Sequence, residues 1–164
     1  MLFVDFDFAN KVRQHTTDII SLCLQQCDCF SLTQVTFPWC NTVLETALRP
    51  FCKEKRTTLN WFCYHVTEEN PLSVFLYPVN EETTLLLKEH YCDFFLNDNQ
   101  LPLSLEDLCF FQNGKLILGT VSHEYICQVF PPDTAFRNSL FHIFDNWKCC
   151  DSNRTQICLS TGYK

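Results

Sequence analysis

Glycine is nearly missing from this chain, with three in 164 residues. Loops that cradle phosphates need several glycines so that backbone N–H groups can approach the ligand, and neither GxGxxG nor GxxxxGK[ST] occurs. That excludes nucleotide binding through the common loops. Basic residues are scarce too: lysine and arginine total 12 against 19 aspartates and glutamates, a formal charge of −7. An acid interrupts their only dense run, Lys53-Glu-Lys-Arg56. A nucleic-acid binder neutralises phosphates with a basic face, so no DNA or RNA partner is expected. No apolar run approaches the roughly 18 residues of a membrane-crossing helix. The first residues, Met1-Leu-Phe-Val-Asp-Phe-Asp7, carry acids where a secretory leader has a basic region, and no small-residue cleavage site follows.

What is plentiful is apolar mass. Hydrophobic residues make up 46 % of the chain and 16 of them are phenylalanines, enough for one sizeable core. Residues 1–147 are expected to form a single domain, with 148–164 as a polar tail. The 12 cysteines resemble a disulfide framework in number. Many, however, fall in phase with apolar residues, where a free thiol behaves as a small hydrophobe. Free thiols in a reducing, cytoplasmic setting are therefore expected. The glycosylation acceptor Asn153-Arg-Thr155 would matter only in a secreted chain.

Periodicity predicts an α+β domain of about five antiparallel strands with about four helices packed on them. Leu2 to Phe8 alternate as a short strand. Phe8, Val12, His15, Ile19, Ile20, Cys23, Leu24 and Cys27 then recur at helical spacing, giving a helix over about 9–27. The segment 30–37 is a strand or an extended connection. Thr42-Val-Leu-Glu45 has capping-box form and opens a helix that Pro50 ends near Arg49. The segments 58–66 and 72–79 predict a hairpin, and Asn80 starts a helix to about residue 97. Ser104 to Asp107 suggest a short helical turn. Asn113-Gly114 between apolar runs is a two-residue type I′ hairpin signal, within a meander over 108–130. Its expected pairs are Gln112 with Lys115, Phe111 with Leu116 and Phe110 with Ile117. Pro131-Pro-Asp133 stops the sheet and caps a last helix, with Phe136, Leu140, Ile143, Phe144 and Trp147 on its apolar stripe.

The segment Gly119-Thr-Val-Ser-His-Glu-Tyr-Ile-Cys-Gln128 places a serine, a histidine, a glutamate and a cysteine close together. In one strand Ser122 and His123 would point to opposite faces, and His123 and Cys127 would stand roughly 13 Å apart. A nucleophile and its base need about 3 Å, so the segment is not a self-contained dyad. A strand over 115–130 would also be unusually long, so a break near 119–123 is expected, with Ser122, His123 and Glu124 exposed at a turn. What stays open is a partner for His123 or Cys127 from another strand, such as His65.

Cys23, Cys27, Cys29 and the Cys149-Cys150 pair match no zinc spacing. The carboxylate pairs Glu68-Glu69, Glu81-Glu82 and Glu106-Asp107 have ordinary explanations as loop, helix-start and turn residues. No catalytic residue, cofactor or metal is expected. The composition fits a small acidic inhibitor of the immunity or antitoxin kind, occupying a basic protein partner such as a toxin nuclease. Its interface would include Glu68, Glu69, Glu81 and Glu82 around one end of the sheet, with Ser122, His123 and Glu124 as further contacts. A cysteine- or histidine-dependent hydrolase and a redox or metal-responsive module are the alternatives.

Overall fold

The structure, a computed structural model, describes residues 1–34, 43–95 and 105–150 together with Leu159. In chain order the strands are β1 (Leu2–Phe3), β2 (Cys29–Gln34), β3 (Glu54–Thr58), β4 (Asn60–Trp61), β5 (Tyr64–His65), β6 (Leu72–Pro78), β7 (Leu105–Gln112), β8 (Lys115–Val121), β9 (Ile126–Val129) and β10 (Lys148–Cys149). The helices are α1 (Ala9–Arg13), α2 (Thr16–Gln26), α3 (Val43–Leu48), α4 (Glu81–His90) and α5 (Thr134–Ile143). Eight strands form one sheet in the order β10-β1-β9-β8-β7-β2-β6-β3, every neighbour antiparallel, and β4 and β5 pair separately. The domain is α+β as expected, with a larger sheet than the expected five strands. None of the described helices is long and apolar enough to cross a membrane.

Alternation along the strands makes two cores. Phe30, Leu32, Phe110 and Leu118 bury themselves with Ile19 and Ile20 of α2, Leu87 of α4 and Leu140 of α5. On the opposite face Cys109, Phe111, Leu116 and Val121 pack with Trp61 and Phe62 from the β4–β5 hairpin. Phe62 lies flat against β8 because Gly119 has no side chain: a Cβ there would meet the ring at 2.8 Å. Gly119→Ala is therefore expected to lose about 1–3 kcal/mol in urea unfolding. Adding Phe62→Leu to that variant should recover part of the loss, and no recovery would contradict the contact.

Several local expectations hold. Asn113 (φ 50°) and Gly114 (φ 76°) both take the left-handed conformation of a type I′ turn, with Gln112 opposite Lys115 and Phe111 opposite Leu116. Pro50 stands in a 3-10 turn over Arg49–Phe51, which closes α3. The Asp133 carboxylate accepts from the Phe136 N–H and caps α5, whose Phe136 and Leu140 are buried. The described cysteines are all free thiols.

Other expectations need correction. The helix over 9–27 is two helices, because the chain breaks at Gln14 and His15, ahead of the poor helix formers Thr16 and Thr17. Phe110 pairs with Leu118, not Ile117, since β8 carries a bulge there. β6 pairs with β2 on one side and β3 on the other, and residues 60–65 fold back as their own hairpin around Cys63 at φ 62°. The entry strand stops at Phe3. The helix begun at Asn80 ends at His90, and the chain beyond it is held by the Arg13–Asp93 ion pair (2.8 Å) and by the Asp93 carboxylate accepting from Phe95 N–H. Lys148 and Cys149, assigned to the tail, pair with β1 at the sheet edge. The Thr42 cap, the Ser104 start, the strand residues 35–37, the helix end at 96–97, the acceptor 153–155 and the rest of the tail beyond Leu159 lie outside the described residues.

Candidate functional site

The β8–β9 connection breaks where expected. Ser122–Glu124 form a 3-10 turn, and Tyr125 (φ 56°) reverses the chain into β9. His123 and Glu124 are exposed, but Ser122 is buried rather than exposed. Its N–H donates to Asp107 Oδ1 (2.7 Å), and its Oγ accepts from the Asp107 N–H (3.1 Å). The serine is a structural clamp on Asp107. Cys127, opposite Thr120, lies in the helix-side core, and burial pushes its thiol up to about 12. His65 is exposed on the small hairpin with Nδ1 2.7 Å from Asn60 Oδ1.

The turn instead brings His123 to Glu106 and Asp107. One carboxylate oxygen from each acid and one ring nitrogen of His123 lie within 4.8 Å of one another. Neither acid occupies the expected helical turn; both belong to β7. A bulge against β2 sets two residues, Asp107 and Leu108, opposite the single Leu32, with Asp107 at φ 55°. The extra residue lets adjacent acids, which would diverge in a regular strand, approach the same turn.

The neighbouring polar groups are unevenly distributed. The Thr33 hydroxyl is 3.1 Å from Asp107 Oδ2 and 3.2 Å from the Glu106 carbonyl, with one proton for the two acceptors. Glu106 is 2 % exposed, and its Oε2 is buried with no hydrogen-bond partner. Burial first, and the Asp107 charge second, push its carboxyl up to about 8. The Tyr91 hydroxyl is buried nearby, its phenol pushed up by burial and then by the Asp107 charge. A buried carboxylate beside a second carboxylate stays neutral or takes a cation.

The four glutamates of the expected interface are exposed but do not share one end of the sheet. Glu68 and Glu69 precede β6, and Glu81 and Glu82 follow it, with about 20 Å of strand between the pairs. Glu81 and Glu82 begin an exposed stripe on α4 that continues through Leu85, Lys88 and Glu89.

No family model matches the chain, and no curated protein or solved structure matches it either.

Proposed function

We propose that this chain is a non-catalytic binding domain that docks a basic protein surface on the exposed face of α4. The observation that carries this is Leu85, 64 % exposed in the middle of a mainly acidic stripe with Glu81, Glu82, Lys88 and Glu89. Glu81 and Glu82 suit the helix start, where the dipole favours carboxylates. Leu85 leaves a large apolar side chain in water, and Glu89 puts a carboxylate in the last turn, where the dipole opposes it, with His90 Nε2 3.9 Å away. A cationic surface with an apolar spot would satisfy both, and the net charge of −7 would speed the encounter. Val43 on α3, which packs against α4, is 68 % exposed and adds apolar surface. Within this class, a toxin nuclease neutralised by occupancy is the partner the composition suggests first. The hydrolase alternative draws no support from Cys127, since a buried thiol near 12 offers almost no thiolate at neutral pH.

The test is capture from the native host lysate by the wild-type chain, Leu85→Asp and Glu89→Lys. A basic protein should bind the wild type, release as salt rises, and bind each variant at least tenfold more weakly while both keep the wild-type melting temperature. Capture unaffected by either substitution, or no basic protein captured, would overturn the assignment.

A further inference from the structure

We propose that Glu106, Asp107 and His123 hold one divalent transition cation of the Mn2+ or Zn2+ class. This goes beyond the docking role of α4 and does not depend on it.

Three features meet at one place. The first is the donor set itself, two carboxylates and an imidazole with ligand atoms within 4.8 Å. Metal–ligand bonds of about 2.1 Å span ligand pairs up to about 4.2 Å apart, so donors gathered this closely need only a small adjustment to share one ion. The second is Glu106 Oε2, buried and without a hydrogen-bond partner beside a second carboxylate. A carboxylate oxygen in that position lacks the donor that buried polar groups otherwise find, and a cation would accept its lone pair in that donor's place while offsetting the Asp107 charge. The third is the support around Asp107. The Ser122 N–H fixes Oδ1, the Thr33 hydroxyl lies against Oδ2, and the left-handed bulge fixes the backbone. Hydrogen bonds of this kind orient ligating carboxylates in built metal sites.

The donor chemistry selects the ion. Imidazole with carboxylates suits Mn2+, Fe2+ and Zn2+ better than Ca2+ or Mg2+, which favour all-oxygen shells. His123 is on the solvent side of the turn, so the ion enters there, and three protein ligands leave positions for water.

Mn2+ is the better probe because it prefers oxygen and nitrogen to the chain's many thiols. After EDTA treatment and desalting, MnCl2 titration followed by the electron paramagnetic resonance of free Mn2+ should give one bound ion per chain. His123→Ala, a change at an exposed position, and Glu106→Gln, which keeps the shape, should each weaken binding at least tenfold. Glu68→Gln with Glu69→Gln should bind like the wild type. The site is refuted by absence of saturable binding, by wild-type affinity in either ligand variant, or by equal weakening in the Glu68–Glu69 control, which would mark diffuse charge attraction.

Discussion

Raising the pH from 5 to 8 in EDTA should cost the wild-type domain about 3–4 kcal/mol of unfolding free energy, and Glu106→Gln should abolish most of that slope. The sign follows from the carboxyl. Its ordinary value is 4.5, and burial beside Asp107 raises it to about 8 in the folded chain. Between those values the folded state holds a proton that the unfolded state has released. Stability is therefore full below about pH 4.5, falls as pH rises, and has lost this contribution above about pH 8. Glu106 is 2 % exposed, so solvent screening reduces the effect little. Urea midpoints at four pH values for both proteins provide the check; parallel curves would show that Glu106 ionises as freely folded as unfolded.

Asp107→Ala should be about as damaging, about 3–5 kcal/mol at any pH in that range, and Asp107→Asn far milder. Alanine leaves the Ser122 N–H, now 2.7 Å from Oδ1, without a buried acceptor, and removes one of the Thr33 hydroxyl's two acceptors. It also must adopt φ 55°, which aspartate and asparagine tolerate and alanine resists. Asparagine keeps an oxygen for Ser122 and tolerates the backbone, and it removes the charge that opposes ionisation of Glu106. Thermal unfolding at pH 7 should rank wild type and Asp107→Asn close together, with Asp107→Ala well below. Equal losses in the two variants would assign the effect to charge and not to the bulge.

The parts of the fold legible in the sequence were those fixed by neighbouring residues. Asn113-Gly114 supplied both positive φ values of its turn, Asp133 the cap of α5, and the improbable length of a strand over 115–130 foretold the break at Ser122–Glu124. Less legible were features decided by distant partners. Glu54–Thr58 is an edge strand of largely polar residues, so it carries no alternating signal. The pairing of Leu2 with Cys149 joins opposite ends of the chain. The candidate site was hidden for the same reason. Glu106 and Asp107 resemble solvated acids beside a turn, and only the pairing of β7 with β2, with its bulge opposite Leu32, turns them inward. A signal did exist: counting back from the Asn113-Gly114 turn through Phe111, Phe110, Cys109 and Leu108 extends an apolar strand directly into the acids.

The fold buries one carboxyl that it cannot comfortably ionise, at a bulge facing His123. The most direct test is the side-chain carboxyl carbon-13 shift of Glu106, followed by nuclear magnetic resonance through a pH titration of the metal-free protein. A midpoint near 8 is expected. A midpoint near 4.5, the value of an ordinary glutamate, would contradict it.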